Sequence, residues 1–222
     1  MYLIGITGGI ASGKSTVSNL IKKKGFTVVD ADKVSREVLK KNSKAFVECV
    51  NQFGSFILNQ DGDIDREKLG EIIFNDPLKR KKLNAIMHSR IRVMLLKEVI
   101  CCFCRNEKIV FIDIPLLIES KLAFLFRELI VVFVDKEVQL KRLMTRNSFT
   151  KAQAESRINS QMDLSKKLKF ATRVIDNNGT VDSTTNQVND FLNKLNLNTT
   201  SPFQLLCSIL ICFSGLAWFY FR

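Results

Sequence analysis

The chain has 222 residues, 46% of them hydrophobic and 25% charged, enough apolar material for the core of one α/β domain and too much for intrinsic disorder. Its formal net charge of +12 calls for an anionic partner, whether polyphosphate, nucleic acid or an acidic membrane surface, and charge alone does not choose among them. His88 is the single histidine, which excludes a multi-histidine metal centre. Of the six cysteines, the cluster Cys101-Cys102-Phe103-Cys104 lacks the second cluster that would complete a zinc site, so the thiols read as buried or half-buried groups of a reducing compartment.

The apolar run Tyr2-Leu3-Ile4-Gly5-Ile6 predicts a first strand over residues 2–7. A strand that starts so early leaves no room for a cleavable leader. Directly after it, Gly8-Gly9-Ile10-Ala11-Ser12-Gly13-Lys14-Ser15 completes the pattern G-x-x-x-x-G-K-[ST], and Thr16 follows. Glycines at these points let backbone N–H groups converge on phosphate oxygens that a side chain would obstruct. Lys14 supplies a point charge for the β and γ oxygens. Ser15 offers a hydroxyl to Mg²⁺ at the positive end of a helix expected over 14–24. A strand before the loop and a helix after it are the context in which this motif binds a nucleoside triphosphate, so ATP and Mg²⁺ are expected ligands.

Downstream, strands and helices alternate, the signature of an α/β fold with a parallel sheet covered on both faces. Further strands are expected over 27–30, 109–112, 129–135 and 173–176. Helices are expected over 33–41, 65–74, 78–102, 136–146, 151–161 and 181–195, with a turn at Asn59-Gln60-Asp61-Gly62-Asp63. Asp30-Ala31-Asp32 follows the second strand, near the end of the sheet where ligands gather. One of these carboxylates could orient or accept an acceptor proton, or simply cap the next helix. The basic run Lys79-Arg80-Lys81-Lys82 has no interleaved aromatics and reads as a solvated helix face, not a nucleic-acid patch. Asp113 ends the third strand, where it either binds a Mg²⁺ water or closes the strand. Arg142, Arg146 and Arg157 flank the polar break Asn147-Ser148-Phe149-Thr150, as in a helical lid that brings guanidinium groups onto phosphates; each alone could be a surface residue.

The end of the chain differs from the rest. Residues 196–202 read as a polar linker, and residues 203–221 are uncharged and end in aromatics. As a helix this segment would be roughly 28 Å long, close to the hydrocarbon thickness of a bilayer. It is expected to be a single-pass tail anchor, with the basic body on the cytoplasmic side and Trp218 and Tyr220 at the far interface. The alternative is a buried terminal helix.

The bound triphosphate has few possible fates. A GTPase is discounted because Asp176-Asn177-Asn178-Gly179 lies too late for a D-x-x-G switch and Asn193-Lys194-Leu195-Asn196 ends without the carboxylate of an N-K-x-D base reader. Glycines at 5, 8, 9 and 13 do not give the dinucleotide pattern G-x-G-x-x-G. Small-molecule phosphoryl transfer is left as the leading class.

Taken in order, Gly5 through Thr16, Asp30-Ala31-Asp32 with Arg36, Asp113-Ile114-Pro115-Leu116-Leu117-Ile118-Glu119 and Val174-Ile175-Asp176-Asn177-Asn178-Gly179 resemble the signatures of the dephospho-coenzyme A kinase family. The likeness spans residues 1–195 and extends to the single-domain animal form, which carries a hydrophobic C-terminus. It implies a P-loop kinase of the nucleoside monophosphate kinase type, with a five-stranded parallel sheet, a helical lid and an acceptor-binding region. The implied activity is transfer of the ATP γ-phosphoryl group to the ribose 3′-hydroxyl of dephospho-coenzyme A, with Mg²⁺. By the same resemblance Asp32 is the base, Lys14 the phosphate ligand and Arg142 a catalytic lid contributor. The loop Gly8 to Thr16 with Arg142 and Arg146 would hold ATP, and Ser15 and Asp113 the metal. Asp32, Arg36, His88, Arg92, Leu116, Leu117 and Arg157 would meet the acceptor, although core packing serves the two leucines equally well and His88 is equally read as an ordinary helix residue. One departure is His88-Ser89-Arg90-Ile91-Arg92, where the family often has His-Pro-x-Ile-Arg. A nucleoside monophosphate kinase and a catalytically inactive, membrane-tethered nucleotide-binding protein are the alternatives. The likeness and the tail together point to the mitochondrial outer membrane or the endoplasmic reticulum. Oligomeric state is not legible.

Overall fold

The computed structural model describes residues 1–74 and 76–195, with the backbone alone at Arg66, Phe74 and His88. The strands are β1 (Tyr2–Gly8), β2 (Thr27–Asp30), β3 (Ile109–Asp113), β4 (Glu128–Phe133) and β5 (Arg173–Asp176). The helices are α1 (Lys14–Lys23), α2 (Ala31–Val38), α3 (Lys44–Phe53), α4 (Arg66–Phe74), α5 (Pro77–Cys104), α6 (Lys136–Asn147), α7 (Lys151–Asn159), α8 (Leu164–Lys167) and α9 (Val181–Lys194). The described chain divides into two compact units: Met1–Val29 together with residues 102–195, and Asp30–Cys101.

The first unit is built on the sheet, whose strand order is β2-β3-β1-β4-β5. The strands run parallel, with β1 in the middle and in register with β3 through Ile4↔Phe111 and with β4 through Ile6↔Ile130. Because side chains alternate across a strand, Ile4, Ile6, Ile109, Phe111, Ile130, Val132 and Ile175 share one face. There they bury Val17 and Ile21 of α1 and Val188 and Phe191 of α9. Phe111 sits at the centre, edge-on to Phe26 at 5.6 Å and to Phe191 at 6.5 Å. The opposite residues, Leu129 and Val131, pack on Leu117, Ile118 and Leu164. β3 is buried along its whole length and β1 and β4 along most of theirs, the near-continuous apolar runs expected of the inner strands of a parallel sheet, whereas β5 at the edge is mostly exposed.

The second unit is helical. Val38, Ala45, Cys49, Phe53, Ile57, Leu69, Leu83, Ile86 and Met87 form its core. The expected turn is present, closed by the Asn59 amide donating to the Asp63 carbonyl at 2.8 Å with Gly62 at φ 75°. Lys79, Arg80, Lys81 and Lys82 are exposed, as a solvated face should be.

Local chemistry accounts for the differences from the sequence-based elements. α2 begins at Ala31, two residues early, because the Asp30 carboxylate accepts from the amides of Asp32 and Lys33 and caps the helix. α3 was not expected, yet its signal is present in Ser43, which accepts from the Phe46 amide, and in Ala45, Cys49 and Phe53, buried at four-residue intervals. β4 stops at Phe133, and Asp135 serves as the N-cap residue of α6.

Two expectations need correction. Cys49 and Cys102 are buried, but Cys101 and Cys104 are exposed, all four as free thiols. Burial, with the Glu48 charge adding to it, pushes the Cys49 thiol up to about 11. The membrane location is also overturned. Among the described residues no helix is long and apolar enough to cross a membrane. α5 has the length, at 28 residues, but carries Lys79, Arg80, Lys81, Lys82, Arg90 and Arg92, charges that hydrocarbon does not accommodate. The proposed tail anchor, 203–221, and the linker before it lie outside the described residues. Placement in the mitochondrial outer membrane or endoplasmic reticulum is therefore withdrawn.

Candidate active site

The phosphate loop leaves the carboxyl end of β1, the middle strand, where open α/β sheets place their ligands. Ala11 at φ 57° and Gly13 at φ 86° make its left-handed bends. Side chains from distant parts of the same unit hold it from outside. Lys167 Nζ donates to the Gly8 carbonyl at 3.2 Å, Gln139 Nε2 to that of Ile10 at 2.7 Å, and Asn177 Nδ2 to that of Ser12 at 2.8 Å. Alternate carbonyls are thus anchored away from the loop's interior. In a trans peptide the N–H points opposite to the C=O, so the amides of Gly9, Ala11 and Gly13 turn to the other side. The amides of Lys14 and Ser15, at the head of α1, have no preceding turn to bond. The result is a preformed anion cradle.

The buttress is itself held. Thr184 Oγ1 donates to Asn177 Oδ1 at 2.7 Å, and the Ile10 amide donates to Gln161 Oε1 at 2.9 Å. A Cβ at Gly13 would stand 2.0 Å from Asn177 Nδ2, on a backbone that L-residues enter at a cost of about 1–3 kcal/mol. Gly13→Ala should therefore lower unfolding free energy by about that amount and weaken Mg-ATP binding by roughly tenfold or more. Denaturant unfolding and calorimetry check the two effects, and an unchanged affinity would show that the cradle tolerates displacement.

Lys14 forms an ion pair with Asp113, whose other oxygen accepts from Ser18 Oγ at 2.6 Å. Asp113 is 3% exposed and ends β3 opposite Ile6. Thr7 Oγ1 donates to the Pro115 carbonyl at 2.9 Å, tying the two strand ends together. Among the described residues no cluster of three or more His, Cys, Asp and Glu is placed to hold a metal. A magnesium ion here would take most of its oxygens from phosphate and water, which is how this ion is commonly held. The exposed Ser15 hydroxyl and the Asp113 carboxylate suit that minor protein share.

The polar break joins α6 to α7 through Ser148 at φ 53°, and Thr150 and Gln153 form a capping box at the start of α7. Of the three lid arginines, Arg142 reaches the phosphate loop. Its Nη2 donates to the Asn177 carbonyl at 2.9 Å, and its Nη1 lies 3.7 Å from where a Gly13 Cβ would be. Arg146 bonds Asn147 Oδ1 at 2.9 Å, and Arg157 lies over the Phe149 ring at 4.5 Å. Both are engaged at the break itself. Leu116 and Leu117 part company: Leu117 is fully buried in the core with Ile118 and Leu129, and Leu116 is 47% exposed.

The remaining candidates lie in the second unit. Asp30 caps α2, Asp32 sits in its first turn and Arg36 in its last. His88 and Arg92 occupy positions four apart on α5, which runs unbroken through Ser89. A proline at Ser89 would remove a helical hydrogen bond there. Arg90, between them, donates to the Ile86 carbonyl at 2.8 Å and pairs with Glu48.

Several residues of the first unit were not anticipated: Gln139, Gln161, Lys167 and Thr184, with Asn177 noticed only as part of a longer motif. Lys167 ends α8, a helix of four residues, too short to show a period. Asp163 caps it, and the Ser165 hydroxyl and amide hold the Asp163 carboxyl below the usual range.

A five-stranded parallel sheet with helices on both faces, a glycine-rich phosphate loop after its middle strand and an arginine-bearing helical pair beside that loop define a P-loop kinase. A family model described as dephospho-CoA kinase matches residues 2–183. A dephospho-CoA kinase of Listeria innocua is 50% identical over 191 residues, 86% of this chain and 96% of the relative. A dephospho-CoA kinase domain-containing protein of Danio rerio is 43% identical, covering 85% of this chain and 82% of its own. Among solved structures, a dephospho-CoA kinase from Campylobacter jejuni superposes with a TM-score of 0.67 at 30% identity, over 87% of this chain and 96% of that one. The chain belongs to the dephospho-CoA kinase family.

Proposed function

We propose that this protein transfers the γ-phosphoryl group of ATP to the ribose 3′-hydroxyl of dephospho-coenzyme A, giving coenzyme A and ADP. The observation that carries this reading is a family match over residues 2–183 joined to a phosphate cradle whose alternate carbonyls are anchored outward. The acceptor oxygen forms the new P–O bond, the bond to the bridging β,γ-oxygen breaks, and ADP leaves with that electron pair. Lys14 and the loop amides hold the β- and γ-oxygens, and Arg142 neutralises charge that builds on them. Magnesium, when bound at Ser15 and Asp113, supplies further charge neutralisation.

Asp32 accepts the hydroxyl proton, and Asp30 caps α2. Arg36, His88 and Arg92 recognise the acceptor's anionic groups, and Leu116 its apolar arm. Leu117 is reassigned to the core, while Arg146 and Arg157 support the lid from its break. Residues 1–195 form the kinase domain, and the partner is a small molecule.

The test incubates the full chain with Mg-ATP and a panel of dephospho-coenzyme A and nucleoside monophosphates. ADP release above background hydrolysis is expected with dephospho-coenzyme A alone, with phosphate found on the 3′-oxygen by ³¹P NMR. ADP release with a nucleoside monophosphate instead would reassign the acceptor.

A further inference from the structure

We propose that Lys167 is a positioning residue for nucleotide binding, an internal cation that turns the first carbonyl of the phosphate loop outward and joins it to the segment after β3. The inference rests on the reading of this loop as the nucleotide site. Lys167 is 0% exposed. Its ammonium has three N–H groups and three oxygen partners: Glu119 Oε1 at 2.8 Å, the Gly8 carbonyl at 3.2 Å and the Pro115 carbonyl at 3.2 Å. This is the kind of oxygen shell that a bound monovalent cation would have, supplied by a tethered one.

A buried ion pair is a poor choice if the only task is to fill space, since apolar residues of the same volume do that at least as well. The pair here is also incompletely satisfied: Glu119 Oε1 accepts from the Met162 amide at 3.2 Å, but Glu119 Oε2 is buried without a hydrogen-bond partner among the described residues. What the charge does bears on the loop. Of the three anchored carbonyls, those of Ile10 and Ser12 are held by neutral amides and that of Gly8 by a cation. A charged partner on the Gly8 oxygen polarises the Gly8–Gly9 peptide, and makes its N–H a stronger donor on the opposite side. The second carbonyl, that of Pro115, also accepts from Thr7 Oγ1 and precedes the exposed Leu116. One ammonium therefore sets both the root of the cradle and the start of the segment that carries Leu116.

The experiment is chemical rescue in the full chain. Lys167→Ala should weaken Mg-ATP binding, read by calorimetry without acceptor, by roughly 10- to 10²-fold. n-Propylammonium replaces the deleted atoms and should restore most of that loss, beyond any effect of the same salt on wild type. n-Propanol, of matching length and neutral, should not. Lys167→Met combined with Glu119→Gln, which keeps the volume and leaves no unpaired carboxylate, should melt near the wild-type temperature and still bind Mg-ATP as poorly as the alanine variant. Wild-type affinity in either variant, or equal rescue by propanol and propylammonium, would overturn the proposal. Should Lys167→Ala fail to fold, refolding by propylammonium and not by propanol supports it, and the reverse opposes it. A wild type that binds Mg-ATP yet phosphorylates no dephospho-coenzyme A would defeat the proposed activity and leave this inference to the rescue result.

Discussion

Lys14→Ala should reduce kcat/KM for phosphoryl transfer by roughly 10²- to 10³-fold, the scale on which one electrostatic contact to the reacting group is missed. Two losses combine. The β- and γ-oxygens lose a cation, and Asp113, only 3% exposed, loses its ion-pair partner beside an incoming polyanion. The second loss can be isolated. Lys14→Ala with Asp113→Asn removes the unbalanced charge and, with magnesium left out so that the metal role of Asp113 does not enter, should bind ATP more tightly than Lys14→Ala alone. The single variant should also lose about 3 kcal/mol of stability, the low end for breaking a buried pair because the Lys14 side chain is 16% exposed. Calorimetry and thermal unfolding of the three proteins decide the matter. An unchanged ATP affinity in Lys14→Ala would remove the lysine from the site.

Asp32→Asn should lower kcat by roughly 10²- to 10⁴-fold, the usual contribution of a general base, with Mg-ATP affinity little changed. The neighbouring carboxylate provides the control. Asp30 accepts from the amides of Asp32 and Lys33 at 2.9 and 3.1 Å, and asparagine caps a helix about as well as aspartate. Asp30→Asn should therefore keep both its fold and its turnover. Single-turnover rates with saturating Mg-ATP distinguish the two variants, and equal rates would dismiss Asp32 as the base.

The sheet was legible because each strand is an apolar run bounded by turn chemistry. Residues 27–30 and 173–176 match the observed β2 and β5, and β1 and β3 each extend one residue further. Helix starts were less legible where a carboxylate had two possible uses, as at Asp30. The phosphate loop was fully readable as a local motif. Its supports were not, because Gln139, Gln161, Lys167 and Asn177 are ordinary polar residues that become a buttress only when the sheet brings them to the loop. Arg142, Arg146 and Arg157 looked equivalent in sequence. Only packing separates Arg142, bonded to the Asn177 carbonyl, from the two held at the break. The leucine pair shows the same limit: adjacent identical residues have opposite environments, and nothing in Leu116-Leu117 says which one faces inward.

The bonds that shape the cradle join Ile10, Gly8 and Ser12 to partners 129 to 165 residues further along the chain. Contacts of such separation close late, since a long loop of unfolded chain must first be ordered. The phosphate loop is thus among the last parts of its unit to reach working shape, and ATP is a poor early template for folding. Nucleotide affinity becomes a report on completion, withheld from any chain that has not yet placed Asn177.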